Sequence, residues 1–466
     1  MMTLTRRLIA LFLAIILLNG TTALACGPFT LEAIFVHTVH PVYPLKAFAG
    51  GRIGVVQPNY ARSYLYVAYR YLSGSSFSPS EQTALADLWK ERLDFSEDED
   101  GNPYYWSRGW LEARKKVPGV KEVGDIEPYR PREKPNEFEN YVNCNKDSFD
   151  TAVKVLADRT AEYRGNTAPL LVWVNAQDQV FTNCNSGNSI PDPLPAGVRL
   201  LGRGDRRYQN AAAHFYSTNF DEAQKRFEEI AADEKSPWHF VAAYMVARTL
   251  IRKASLGAPE QKQESLRTAE SQLTKILADK KFAHHHASAT RLANLVRLRL
   301  HPEERLHELA RVLTAKKQND NLKQDLWDYT TLLDQYVEGD DPNPPAFLKD
   351  DDLSDWLTTI QSGFPAAADR AMERWQTTHA ETWLVAALST LEFSHPKTAE
   401  LIAQGLNVKP GSAAFASARF HAIRLLIETG KYDEARQVLD QILKNNRAQF
   451  DESSLNLLTS RRLLVA

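Results

Sequence analysis

"GKYDEARQVL" occupies residues 430–439 and "NFDEAQKRF" residues 219–227. In each, an aromatic residue (Tyr432, Phe220) precedes an Asp-Glu pair and then a small alanine, Ala435 or Ala223, that lets two helices approach closely. The apolar series continues at spacings of four and three, through Leu439 and Ile442 in one case and Phe227 and Ile230 in the other. That spacing lays one stripe along one face of a helix. Working outward, the same triplet returns at Ala269, Leu273 and Ile276, at Leu306, Ala310 and Leu313, and at Ala399, Ala403 and Leu406. One such stripe is only an amphipathic helix. A register adds weight, because Ala386, Ala399, Ala403 and Leu406 recur as Ala422, Ala435, Leu439 and Ile442 at a uniform offset of 36. A fixed period in this range marks stacked helix pairs.

These segments resemble the turn and second helix of tetratricopeptide repeats, and "WLVAALS", with Trp383, Ala386 and Ala387, resembles a first helix, followed by Pro410 as a terminator. The repeat is two residues longer than the roughly 34 usual in that family, the first-helix glycine is missing, and other units stand 37 or 46 apart. The resemblance covers about 204–446. It implies an all-α fold: a TPR-like right-handed α-solenoid of antiparallel helix pairs, continuous from Cys144 to Ala466, after a less regular aromatic-rich N-terminal region. The expected organisation is a leader at 1–25, an irregular domain at 26–140, a stapled hairpin at 141–203 and the repeats at 204–466. Such arrays bind peptides or protein partners on extended concave surfaces. The whole chain also resembles exported bacterial proteins that begin "ACGPF" and carry segments like "SPWHFVAAYMVARTLIRKASL" (residues 236–256), a resemblance that implies no activity.

The leader is read from "MMTLTRRLIALFLAIILLNGTTALA": a positive start at Arg6 and Arg7, an apolar run from Leu8 to Leu18 and a small-x-small exit at Ala23 and Ala25. A bilayer span needs about 20 apolar residues, and this run falls short. The expected location is periplasmic or secreted. Cleavage after Ala25 exposes Cys26, a candidate for lipidation and outer-membrane anchoring. Ordinary unlipidated cleavage is the preferred expectation, because Leu usually stands where Ala23 does and a small residue where Leu24 does. Arg6 and Arg7 leave with the leader, which takes the formal net charge two units below the whole chain's −2. No basic stripe asks for nucleic acid.

The three cysteines are Cys26, Cys144 and Cys184, the last two each inside an Asn-Cys-Asn triplet. Between them, "KDSFDTAVKVLADRTAEYRG" puts Phe149, Ala152, Val153, Leu156, Thr160 and Tyr163 on one helical face, with Asp147 as cap and Gly165 as stop. "APLLVWVNAQDQVF" is a second helix with Pro169 in its first turn. A short link makes the pair antiparallel, so Cys144 and Cys184 occupy neighbouring ends of one hairpin. A structural disulfide is expected in an oxidising compartment. Neither cysteine belongs to a Cys-x-x-Cys, and no histidine lies nearby to complete a zinc set.

Before Tyr141 the chain is aromatic and punctuated. "SPSEQTALADLWKERL" opens with a capping box, Ser78 with Glu81, ahead of a helix from Pro79 to Leu93. A domain boundary is expected in the proline-broken "EPYRPREKPNEFENY" at 127–141. Tyr104, Tyr105, Trp106 and Trp110 in "NPYYWSRGW" supply the rival function: an envelope glycan-binding or glycan-processing protein with its site in this region. Trp327, Tyr329, Trp356 and Trp375 stand near a proline-rich acidic stretch at 337–355, and Trp327 and Trp356 are candidates for a ligand groove, although tryptophans at helical spacing are more often core.

Catalytic constellations are weak. His284, His285 and His286 point in different directions on a helix, so a solvated turn is expected there. His37 and His40 lack a third ligand. Ser394-x-x-Lys397 has no companion Lys-Thr-Gly. Asp205, before "RRYQNAAAHFY", is expected to be a helix N-cap. No catalytic residue, cofactor or metal is assigned. The expected function is a protein- or peptide-binding scaffold of the cell envelope, touching the membrane only if Cys26 is lipidated.

Overall fold

A computed structural model describes residues 43–93, 101–132, 140–164, 166–194, 200–337, 344–362 and 365–466. The leader, Cys26, His37, His40, Gly165 and most of the acidic stretch after Leu93 lie outside them. Among the described residues there are twenty α-helices and one two-stranded antiparallel sheet. The chain is therefore mostly helical, as expected.

The chain divides into two compact units, one made of residues 96–309 and the other of 1–95 together with 310–466. The grouping runs across the boundaries expected at 140 and 203. Residues 101–132 pack with the stapled hairpin and the first repeat-like helices, whereas 43–93 pack with the C-terminal helices. Each unit is a separate piece of packing.

The unit containing 310–466 begins with α1 (Tyr43–Ala49), α2 (Arg62–Leu72) and α3 (Pro79–Leu93). The capping box at α3 is made: Ser78 N–H donates to Glu81 Oε2 at 2.7 Å, and Glu81 N–H to Ser78 Oγ at 3.3 Å. Helix α12 (Pro302–Thr314) carries the passage between the units. Then follow α13 (Leu322–Val337), α14 (Asp352–Gln361), α15 (Pro365–Thr378), α16 (Glu381–Thr390), α17 (Thr398–Asn407), α18 (Phe415–Glu428), α19 (Tyr432–Gln441) and α20 (Glu452–Leu464). Helix α2 is buried on almost every side, against α13, α14 and α16. Its polar groups are answered by α12 and α14: Tyr66 Oη and Arg70 Nη1 donate to the Leu313 carbonyl at 2.9 and 2.8 Å, and Tyr69 Oη to Asp352 Oδ2 at 2.7 Å.

The segment Ile53–Val56 is pinned by the far end of the chain. Val55 N–H donates to Ser454 Oγ at 3.1 Å, Val56 N–H to Ser417 Oγ at 2.9 Å, and His421 Nε2 lies 2.8 Å from the Val56 carbonyl. Because a carbonyl only accepts, the ring proton sits on Nε2. Gly54 has φ +57, and a Cβ there would stand 2.6 Å from Asp451 Oδ2, so only glycine fits.

The second-helix stripes are buried at Ala223, Phe227 and Ile230, at Ala269, Leu273 and Ile276, at Leu306, Ala310 and Leu313, and at Ala435, Leu439 and Ile442. The stripe assigned to α17 is a correction. Ala399 and Ala403 face solvent, and Thr398, Leu401, Ile402 and Gly405 face inward instead. The offset from α17 to α19 is thus 37, while Ala386 and Ala422 in α16 and α18, both buried, keep 36. Gly405 earns its place because a Cβ would meet the Ala418 carbonyl at 3.0 Å and Ala422 Cβ at 3.1 Å.

The unit 96–309 holds α4 (Arg108–Lys115), β1 (Tyr129–Pro131), β2 (Asn140–Val142), α5 (Lys146–Tyr163), α6 (Thr167–Thr182), α7 (Leu200–Tyr216), α8 (Phe220–Ala231), α9 (His239–Leu256), α10 (Lys262–Ala278) and α11 (His286–Leu300). Each helix from α4 to α11 packs on the next. Cys144 and Cys184 are joined across the ends of the α5–α6 hairpin with Cα atoms 5.3 Å apart, both fully buried. The residue before each cysteine explains the repeated triplet. Asn143 Nδ2 donates to the carbonyls of Asn183, Cys184 and Tyr216, and Asn183 Nδ2 to that of Ser189 at 2.8 Å. The triplets are a staple with buried amide hubs.

The bridge closes a loop with a sequence separation of 40, so replacing both cysteines by serine is expected to lower stability by roughly 3 to 4 kcal/mol in the chain-entropy picture. Denaturant unfolding of the variant against the oxidised chain measures it. Alkylation of either thiol in native, unreduced protein would contradict the bridge.

Candidate functional site

On the unit 96–309, alternate helices α5, α7 and α9 together with α6 frame a cleft enclosing about 80 Å3, roughly two to three water volumes. The sequence places its wall by helical spacing. Tyr208 and Tyr216 of the wall are eight apart on α7, and Arg248 of the wall stands between Tyr244 and Arg252 at intervals of four on α9. The first turn of α5 brings Asp147 and Ser148 to the same place.

An ion pair spans the cleft, with Arg248 Nη1 2.8 Å from Asp147 Oδ2; the carboxylate is the exposed member and the arginine the covered one. Burial works against the Arg248 charge, but Asp147 and the neighbouring tyrosine hydroxyls more than offset it and hold its pKa above the usual arginine range. Burial pushes the Tyr208, Tyr216 and Tyr244 hydroxyls up, so all three stay protonated and able to donate. Tyr208 stacks on Trp238 with ring centroids 4.1 Å apart.

The floor is held by a buried carboxylate. Asp205 is 1% exposed and receives Arg159 Nε and Nη2 at 2.6 and 2.9 Å and Trp238 Nε1 at 2.8 Å. This corrects the N-cap expectation, since α7 starts at Leu200 and Asp205 lies inside it. Asp147 likewise is not a cap: Asn145 occupies the N-cap of α5, and Asp147 serves Arg248 instead. Beneath, Arg252 donates from Nη1 to Asn143 Oδ1 at 2.7 Å and lies 4.4 Å above the Phe215 ring. Burial with only neutral acceptors brings its pKa down to about 10.

The residues singled out from sequence fall elsewhere. Trp110 is fully buried, donating from Nε1 to Asp178 Oδ1 at 3.2 Å, and Asp178 is clasped by Arg114 at 2.7 Å. Trp106 is partly buried against the same core, and Tyr104 is exposed and 5.3 Å from the Tyr129 ring. Trp356 is fully buried, giving its Nε1 proton to the Thr382 carbonyl at 2.8 Å, whereas Trp327 is 45% exposed. Trp110 and Trp356 are therefore core, each within its own unit. His284 and His285 end a 3-10 turn, with His286 at the start of α11. Among the described residues no group of three or more His, Cys, Asp or Glu side chains is placed to hold a metal, and no helix is long and apolar enough to cross a membrane. The cleft residues were missed because their signal is polar and aromatic spacing spread over three helices. No family model, curated protein or solved structure matches the chain.

Proposed function

We propose that the protein is an exported, tetratricopeptide-like scaffold of the cell envelope that docks a peptide or a protein segment on the face shared by α5, α7 and α9. The observation that carries this reading is the Asp147–Arg248 pair flanked by Tyr208 and Tyr216 at a cleft between alternate helices, with Tyr244 one turn before Arg248 on α9. Tyrosine, tryptophan and arginine are the residues that dominate binding energy at protein interfaces, because they offer large, rigid contact area with a polar tip. Alternate helices of stacked pairs line the concave side of a right-handed solenoid, which is the surface such arrays offer to extended ligands. The leader and the disulfide agree with an oxidising compartment outside the cytoplasm. The glycan alternative loses Trp110 as a platform, because that ring is fully buried, and keeps Tyr104, which is exposed.

Panning a displayed peptide library against the full chain tests the proposal. Enriched peptides are expected to bind at least about tenfold more weakly to Tyr244→Ala and to Arg248→Ala, the loss typical of an interface anchor. Peptides whose affinity ignores both substitutions would contradict it.

A further inference from the structure

Most polar side chains that line the cleft between α5, α6, α7 and α9 answer one another. Arg248 pairs with Asp147, and Asp205 takes Arg159 and Trp238 Nε1. Gln209 Nε2 donates to the Trp173 carbonyl at 3.1 Å and to Gln177 Oε1 at 3.3 Å, while Thr151 Oγ1 and Ser148 Oγ donate to the carbonyls of Asp147 and Asn145 at 2.6 and 2.7 Å. Trp173 differs. It is 6% exposed and lines the cleft, and its Nε1–H is buried without an acceptor. An indole nitrogen can only donate, so the unmade bond costs free energy that a bound acceptor would return. We infer, resting on the docking reading above, that the cleft receives the side-chain amide of an asparagine or glutamine in the docked segment, the amide oxygen accepting from Trp173.

Charge selects an uncharged group. Arg248 and Arg159 are each met by a carboxylate already, Asp147 and Asp205, so an added carboxylate would face two others and an added ammonium a covered guanidinium. Asp147 meets Arg248 through Oδ2, which leaves Oδ1 to accept from the amide N–H2. A side-chain amide carries both an acceptor and donors, the pair that Trp173 and Asp147 call for. Size selects a small group, because about 80 Å3 is roughly half the volume of a cavity that admits benzene. Ala152, Val155, Ala212 and Met245 supply apolar wall for the methylene that carries the amide.

NMR of the full chain tests this with two reporters. One is the Trp173 indole N–H, assigned by its loss in Trp173→Phe. The other is the Met245 methyl, which lines the cleft, is one of four methionines in the chain, and needs no change at Trp173. The probes are the methylamides of N-acetylglutamine and N-acetylasparagine, each against the corresponding glutamate or aspartate compound, so that the backbone amides are shared and only the side chain differs. At least one amide probe is expected to move the indole proton downfield and to shift the Met245 methyl, saturating with a Kd tighter than about 10 mM. Its acidic counterpart is expected to bind at least about tenfold more weakly. No saturable shift at either reporter, as for a cleft that holds water only, or equal affinity for amide and acid, would overturn the inference even where panned peptides still depend on Tyr244 and Arg248. Peptides indifferent to both of those residues would remove the docking reading and this inference with it.

Discussion

Acidification from pH 6.5 toward 3 is expected to strip stability from the unit that contains His421, at up to about 1.4 kcal/mol per pH unit. His421 is 2% exposed, and burial first, with Arg424 adding to it, brings its pKa down from 6.5 to about 3. The native ring therefore stays neutral where the unfolded ring takes a proton. Between those pH values the unfolded state binds more protons, so stability rises with pH there and is lost as pH falls. By pH 4 the deficit from this residue alone should approach roughly 3 kcal/mol. Carboxylates contribute their own acid sensitivity, so the measurement is a difference. His421→Gln keeps a donor for the Val56 carbonyl but cannot titrate. Denaturant unfolding of both proteins at pH 7 and pH 4 should show the wild type losing about 3 kcal/mol more than the variant. Equal losses would contradict a buried neutral histidine.

Asp205→Ala is expected to cost about 3 to 5 kcal/mol, because it leaves the Arg159 guanidinium and the Trp238 indole N–H without their shared acceptor in a buried site. Arg159, whose pKa the Asp205 hydrogen bond raises, would then keep only Glu162, 3.6 Å from its Nη1. Removing both charges together, as Arg159→Met/Asp205→Leu, is expected to recover part of the loss, since the apolar pair needs no partner while the Trp238 indole N–H stays without its acceptor. An exposed pair such as Arg462 with Asp440 is expected to be close to neutral when broken. Chemical denaturation of the three variants ranks them. An Asp205→Ala protein within experimental error of wild type would show that the carboxylate is not bearing the buried charge.

How far these features could be read in advance follows from their range along the chain. Local signals survived: the Ser78–Glu81 box, the α5 and α6 hairpin and the Cys144–Cys184 pairing each depend on residues within one hairpin or turn. The α17 stripe failed by one position because alanine satisfies an apolar pattern without being buried, while Thr398 and Gly405 are buried without looking apolar. Asp205 was mistaken for a cap because short-range pattern cannot distinguish a carboxylate that ends a helix from one that meets an arginine 46 residues earlier. The return of Ile53–Val56 onto α18 and α20 has no local signature, since its partners lie some 360 to 400 residues away. The cleft was invisible for the same reason: Asp147 and Arg248 are unremarkable until the fold places them 2.8 Å apart.

The docking face is tested most directly by a photo-crosslinking residue placed at Tyr244 in one full-length protein and at Tyr104 in another, each exposed to envelope extract and analysed by mass spectrometry. The expected result is a discrete protein or peptide adduct at position 244 that disappears when Arg248→Ala is added, with no corresponding adduct at 104. Adducts confined to position 104, together with saccharide binding that is lost in Tyr104→Ala, would contradict the account and place the ligand on the aromatic segment instead.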